Sequence, residues 1–366
     1  MPTTDAARFH TVLPVAFQTM RLVSEGLDVF EAFRVLDRIT DAGDWHDRMA
    51  AAGDDWAQRG ADAETHGHTL SAERAFRQSA GFYLGAALWN VPDPALTTPT
   101  YMKCVAAFRR AAALTTHPAM TPVTIPFEGV DLPGYLYRPE GLSDGEKVPA
   151  VIVIGGTDAT KEEADGLGAR ELALRGVAVL TFDGPGQGEP LRLHNLVSRP
   201  DYETVLSRAI DVLETVDFVD TGRIGLLGAS LGTYYATRGA TDPRVKALVC
   251  HGSIFDMVSE STRMQTRPDH ANFRLITGKT SAEDIRAYFA AYNLAEIAPT
   301  VNCPVLVVHS GQDNIVAADS GHRLRDAFGD NAELVFLEDG LHCCIEYYAR
   351  LQPRMYDWLI DRLKAA

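Results

Sequence analysis

Gly228-Ala229-Ser230-Leu231-Gly232 follows the apolar run Arg223-Ile224-Gly225-Leu226-Leu227 and leads into the small-residue stretch Thr233-Tyr234-Tyr235-Ala236-Thr237. A strand that enters G-x-S-x-G and leaves as a helix is the setting in which this motif becomes a nucleophile elbow. Such a turn holds its central residue in a strained backbone region. The positions two before and two after must then be nearly free of side chain, as Gly228 and Gly232 are. The serine hydroxyl would stand out at the top of a sheet, over a helix N-terminus. That placement predicts acyl-transfer chemistry and requires a base, an acid and an oxyanion hole elsewhere in the chain.

Around the elbow, short apolar runs alternate with helical stretches. The runs are 150–154, 177–182, 224–227, 247–250, 305–308 and 334–337, of the kind that forms buried parallel strands. The helical stretches are roughly 160–175, 202–219, 231–240, 282–297, 319–328 and 345–364. Before them, 123–127 and 132–137 read as an antiparallel pair joined by Glu128-Gly129-Val130-Asp131. The pattern predicts an α/β fold, a doubly wound and mostly parallel sheet whose chemistry sits at the carboxyl ends of its strands.

Three candidates fall at such ends. Ser230 follows the strand at 224–227, Asp313 that at 305–308, and His342 that at 334–337. The chain order Ser, Asp, His is that of an α/β-hydrolase. His342 would accept the Ser230 proton, and Asp313 would hold the imidazole tautomer and stabilise imidazolium. Taken singly, Asp313 reads as a capping residue and His342 as a surface-loop histidine, because the chain has 11 histidines and 49 acidic residues. Their order and strand-end placement carry the assignment. Asp256, one strand earlier, is the alternative acid; Asp339 lies too near His342 in sequence and shapes a turn.

An oxyanion hole needs two N–H groups aimed at the developing charge. The expected donors are Leu231, directly after the nucleophile, and Thr157 in Gly155-Gly156-Thr157-Asp158-Ala159-Thr160-Lys161-Glu162-Glu163, where glycines let backbone approach substrate. Asp158 could cap the next helix or give a proton to a leaving group. Gly156, His251, Phe255, Tyr234 and Trp89 are candidate substrate contacts, with core packing the competing reading of the larger ones. Phe82 and Tyr83 carry the same pair of readings. Asp183-Gly184-Pro185-Gly186-Gln187-Gly188 lacks the spacing and lysine of a phosphate loop and reads as a turn bordering the site. Cys343 and Cys344 read as packing residues.

Residues 1 to about 115 differ in kind. Apolar residues recur at helical spacing over 27–36, 45–59, 70–89 and 101–115, and the third of these helices ends at Pro92 and Pro94. The expected division is a helical domain at 1–116, read as a bundle or a lid, and a catalytic domain at 117–366. Residues 256–300 are a candidate lid segment. Length, 366 residues, fits one large domain with an accessory.

The formal charge of −15 argues against nucleic-acid and anionic-membrane partners and suits a small-molecule substrate. Five cysteines without a C-x-x-C pair indicate no metal and no disulfide framework, hence a reducing, cytoplasmic setting. No cofactor is expected. The N-terminus has no basic and apolar leader pattern.

The elbow, the Asp183–Gly188 turn and the Gly155–Glu163 loop together resemble the α/β-hydrolases related to 2,6-dihydroxypseudooxynicotine hydrolase, beside fungal polyketide-shortening hydrolases. Asp44-Trp45, Trp56, Ser71-Ala72, Ala80 and Tyr83 are similar to that family's helical domain, so the resemblance spans nearly the whole chain. It implies a helical cap, dimerisation, and hydrolysis of a C–C bond in a β-dicarbonyl or acyl-aromatic substrate. It also implies an acid after Gly-Gly-x that assists proton transfer; here that position is Asp158, one methylene shorter than the family's Glu. A carboxylesterase, or an acyltransferase or cyclase, needs the same triad. A non-catalytic hydrolase-like binding protein is the reading from another class, and the intact triad set weighs against it.

Overall fold

The computed structural model describes residues 13–40, 43–88, 93–264 and 270–366. The chain divides into two compact units, Met1–Thr115 and Thr116–Ala366.

The first unit is helical: α1 (Leu13–Ser24), α2 (Val29–Leu36), α3 (Asp44–Thr65), α4 (Thr69–Leu88) and α5 (Pro94–Leu114). Its core holds Trp45, Met49, Phe76, Phe82, Tyr101 and Phe108, all buried. Buried polar atoms are paired across helices. The Trp45 indole donates to Gly85 O at 2.8 Å, and the Ser79 hydroxyl to Gly53 O at 2.8 Å. The Tyr83 hydroxyl donates to Asp54 at 2.6 Å. The last helix starts seven residues earlier than its apolar spacing suggests. Pro94 opens it rather than barring it, because a proline in the first turn forfeits no helical hydrogen bond and Asp93 caps the Ala95 N–H.

The second unit is built on an eight-stranded sheet: β1 (Ala119–Phe127), β2 (Val130–Arg138), β3 (Val148–Ile154), β4 (Ala178–Phe182), β5 (Val219–Ala229), β6 (Val245–His251), β7 (Val305–Ser310) and β8 (Ala332–Leu337), in the order β1-β2-β4-β3-β5-β6-β7-β8. β1 and β2 form an antiparallel pair, β2 lies antiparallel to β4, and the rest run parallel. Every residue of β3 and β4 is buried, as a parallel strand covered on both faces requires.

Its helices are α6 (Ala169–Leu174), α7 (Gly188–His194), α8 (Glu203–Glu214), α9 (Leu231–Gly239), α10 (Met257–Met264), α11 (His270–Thr277), α12 (Ala282–Phe289), α13 (Ala318–Phe328) and α14 (Tyr348–Lys364). Three differ from the sequence expectation. The stretch 160–175 splits into a short 3-10 turn at Lys161–Glu163 and α6, because Gly168 between them has a left-handed φ of 97°. The stretch 202–219 stops at Glu214, and its last residue already belongs to β5. The stretch 282–297 stops at Phe289, and Tyr292 O turns back to accept the Met257 N–H at 2.9 Å.

Register places the strand ends together. Ile154 pairs with Gly228, Ala229 with His251, and His251 with Val308. From β3 the chain moves to β4 on one side, then returns past β3 to β5 on the other. The crevice between the β3 and β5 loops is therefore the topological switch point, where open α/β sheets bind ligands.

Candidate active site

Ser230 sits between β5 and α9 with φ 54° and ψ −123°, the strained backbone of the elbow. Such conformations cost about 1–3 kcal/mol and persist only where the surroundings enforce them. Here they do: the Ser230 N–H donates to His251 O at 2.8 Å, and Ser230 O accepts from both the N–H and the hydroxyl of Thr233. A Cβ on Gly228 would lie 2.2 Å from Gly232 O, and one on Gly232 2.3 Å from Ile154 O. Both positions are glycine because backbone fills the space.

The Ser230 hydroxyl lies 3.0 Å from His342 Nε2, and His342 Nδ1 lies 2.8 Å from Asp313 Oδ2. With Nδ1 protonated toward the carboxylate, Nε2 presents its lone pair to the Ser230 hydroxyl. The second Asp313 oxygen accepts the N–H groups of Ile315 and Val316, each at 2.8 Å. Burial pushes the Asp313 carboxyl up, but the His342 charge, its hydrogen bond and the Val316 amide outweigh it and hold the group below the usual carboxylate range. Burial pulls His342 down, but the Asp313 charge and hydrogen bond outweigh it and raise the imidazole well above its ordinary value. Cys343 places its Sγ 3.6 Å from His342 Nε2, and both Cys343 and Cys344 adopt left-handed φ, 54° and 49°.

Two further histidines support this set. His309 Nδ1 accepts the Ser253 N–H at 3.1 Å, so its Nε2 carries the proton and donates to Ala317 O at 2.9 Å. Burial lowers its pKa, which keeps it neutral. It thereby ties the turn after β6 to the far end of the Asp313 loop. His251 is buried, and burial pulls its pKa down to about 4. Its carbonyl holds the Ser230 amide, while its ring lies 5.6 Å from that of Tyr348.

The β3 loop abuts Ser230: a Cβ on Gly156 would stand 2.9 Å from Ser230 Cβ. The loop is braced by the turn after β4. Lys161 is buried, its N–H donates to Asp183 Oδ1 at 2.7 Å, and its ammonium lies 2.8 Å from Asp183, 2.8 Å from Glu162 and 2.7 Å from Glu189. Burial opposes the ammonium charge, but these three carboxylates raise the Lys161 pKa well above its usual value. Burial pushes Glu162 up, against the pull of Lys161. Among the described residues, carboxylate oxygens of Glu162, Asp183 and Glu189 lie close enough to share a metal ion, within 4.8 Å. The Lys161 ammonium lies among them.

The remaining predicted residues are placed as follows. Asp158 Oδ2 accepts a long hydrogen bond, 3.4 Å, from Asn272 of α11. Tyr234 is buried in α9 with its hydroxyl 2.8 Å from Pro200 O and its ring 4.9 Å from that of Tyr292. Phe255 is buried under the Arg323 guanidinium, 4.3 Å from its ring centre. Trp89 lies outside the described residues. Asp256 is not linked to His342: its carboxylate accepts from Ser259 and from Arg323 at 2.9 Å. Asp339 accepts from the Tyr347 hydroxyl. No helix among the described residues is long and apolar enough to cross a membrane. The sequence reading did not find His309, Lys161 or Gln187. A polar residue at a strand end or inside a glycine-rich turn was the available signal.

A family model described as esterase FrsA-like matches residues 34–363. The 2,6-dihydropseudooxynicotine hydrolase of Paenarthrobacter nicotinovorans is 29% identical over 94% of this chain and 91% of its own. An alpha/beta hydrolase of an Acremonium species is 34% identical over 59% of this chain, and the match spans 48% of the relative, about half its length. The crystal structure of 2,6-dihydroxy-pseudo-oxynicotine hydrolase superposes with a TM-score of 0.85 at 28% identity, covering 94% of this chain and 96% of that one.

Proposed function

This chain belongs to the esterase FrsA-like family and is an α/β-hydrolase; from that premise we propose that Ser230, His342 and Asp313 form a catalytic triad acting on a small acyl or β-dicarbonyl substrate. The observation that carries the reading is the unbroken relay from Ser230 Oγ through His342 to Asp313, at 3.0 and 2.8 Å.

In the proposed reaction Ser230 Oγ attacks a ketone carbonyl while His342 Nε2 takes its proton. The N–H groups of Leu231 and Thr157 receive the oxyanion. Collapse of the adduct breaks the C–C bond, and the electron pair leaves as a carbanion or enolate that takes up the proton held by His342, directly or relayed through Asp158, which returns His342 to its neutral form. Water, deprotonated by His342, then hydrolyses the acyl-serine. The C–C reading is supported by the 2,6-dihydropseudooxynicotine hydrolase relative, which aligns over 94% of this chain. Ester hydrolysis is the second reading, favoured by the family's description as esterases. The helical residues 1–116 are assigned the role of a cap domain, residues 117–366 the chemistry, and 256–300 a lid segment; a homodimer is part of the same proposal.

A fluorophosphonate probe with peptide mass spectrometry tests the triad, with a single adduct expected on Ser230. An unlabelled folded protein, or an adduct elsewhere, would sink it. Rates on a β-diketone and a matched ester separate the two bond types. If Asp158→Asn changes neither rate, its proton-transfer role is lost.

A further inference from the structure

We propose that Gln187 is a positioning residue that sets the oxyanion hole by fixing the peptide planes of Gly155 and Gly156. The inference rests on the serine-hydrolase reading above. It concerns how one donor of the hole is aimed.

Gln187 Nε2 donates to two consecutive carbonyls, Gly155 O at 2.9 Å and Gly156 O at 3.1 Å. Its Oε1 is itself held, accepting the Gly184 N–H and the Tyr202 hydroxyl, each at 3.3 Å. Gln187 and Tyr202 are both buried, and the Tyr202 ring stacks on Tyr235 with centroids 3.7 Å apart. The amide orientation is thereby determined: reversing it would place an oxygen against two carbonyls and an NH₂ against a donor amide.

The peptide bond is planar and trans, so the C=O of Gly156 and the N–H of Thr157 point in opposite directions from one plane. Holding Gly156 O on Gln187 aims the Thr157 N–H the other way. Gly156 is the residue whose Cβ would touch Ser230, so this plane borders the nucleophile. The clamp has work because of the sequence it acts on. The plane that carries the Thr157 N–H turns about Gly156 on one side, and the missing Cβ there lowers the steric cost of turning it. A flipped plane would turn a carbonyl oxygen, not a donor, toward a developing negative charge. The Ala159 N–H also reaches Gly156 O, at 3.3 Å, from within the same loop. Gln187 ties the loop from outside, on the turn that also anchors Lys161 through Asp183.

The test uses two variants of the full chain. Gln187→Met and Gln187→Leu both remove the donor and the accepting oxygen without adding charge, one with a linear and one with a branched side chain. Each should react with the fluorophosphonate at Ser230 about 10- to 100-fold more slowly, somewhat less than outright loss of a donor. The pH midpoint of labelling should stay that of the unaltered protein, since His342 and Asp313 are untouched. A trifluoromethyl ketone, which binds as a hemiketal oxyanion, should lose affinity in step with the rate. Its methyl ketone counterpart, which forms little adduct, should not. A merely structural defect would weaken both ketones alike and would overturn the proposal. So would a folded variant that labels within about twofold of the unaltered rate. In the unaltered protein, a crystal structure of the trifluoromethyl ketone adduct should show its oxygen on Thr157 N–H with Gln187 still on both carbonyls. An adduct oxygen turned away from Thr157 overturns the proposal even if neither variant folds. Absence of Ser230 labelling in the unaltered protein instead removes the triad reading beneath it.

Discussion

The two loops that meet at Ser230 are stabilised in opposite ways. The elbow at 228–232 is held by backbone: its glycines face backbone carbonyls of the elbow and of the adjoining β3 end, and its strain is opposed by one strand-to-strand hydrogen bond to His251 O. The 155–163 loop is held from outside, by the buried Lys161 ammonium among three carboxylates and by the Gln187 amide. A turn fixed by excluded volume tolerates almost no side chain, but its partners are backbone atoms, which any residue supplies. A loop fixed by buried charges depends on residues more than twenty positions away, and losing one partner strands the others in a low-dielectric interior.

The largest effect is expected at the elbow's own serine. Ser230→Ala should lower the hydrolysis rate about a millionfold, read by single-turnover kinetics on an activated ester. A residual rate within a hundredfold of the parent would break the assignment. Next comes the acid. Asp313→Asn should cost about ten-thousandfold by leaving His342 in the wrong tautomer. Because Asp313 holds the His342 pKa up, the unaltered protein should lose activity as pH falls, with a midpoint above that of ordinary histidine. Asp313→Asn should move that midpoint down; an unmoved midpoint in the pH–rate profile would show that another carboxylate governs His342. In stability, the Asp313 pKa lies below its unfolded value, so its contribution is present above the ordinary carboxylate range and is lost as pH falls through the folded pKa.

The outside brace is tested by Lys161→Met, which leaves the buried Glu162 and Asp183 carboxylates without their counter-charge. A loss of about 3–5 kcal/mol in denaturant unfolding is expected. A loss under about 1 kcal/mol, the range of an exposed ion pair, would mean that the loop does not depend on this cluster. The smallest expected effect is at the contact between the two loops. Gly156→Ala puts a methyl 2.9 Å from Ser230 Cβ and should lower kcat about a hundredfold while the thermal midpoint moves little. An equal fall in stability and activity would place the strain in the fold rather than at the site.

Much of the second unit could be read from residue order. The apolar runs at 150–154 and 305–308 lie within β3 and β7, and Ser230, Asp313 and His342 each follow a strand whose end shares one edge of the sheet. Local rules sufficed there, because a buried parallel strand is apolar throughout and a G-x-S-x-G turn admits few alternatives. Other elements carry local signals that allow more than one reading. Pro94 reads by sequence as part of the stop after α4, which ends at Leu88, and it also opens α5 once Asp93 caps that helix. Tyr234 and Phe255, read as substrate contacts or as core packing, have partners at Tyr292 and Arg323 that sequence distance conceals.

The sequence by itself determined which groups could do chemistry and in what order along the chain they come: a serine between two glycines, then an aspartate, then a histidine, each after an apolar strand. Those follow from steric and periodic rules that act within a few residues. Only the tertiary structure decided how they are aimed. His309 gains its fixed tautomer from Ser253 and Ala317, Lys161 its charge partners from a separate turn, and Gln187 its two carbonyls from a loop about thirty residues earlier. Hydrogen-bond direction and the energy of a buried charge depend on what surrounds a group in three dimensions, and no window of sequence contains those neighbours.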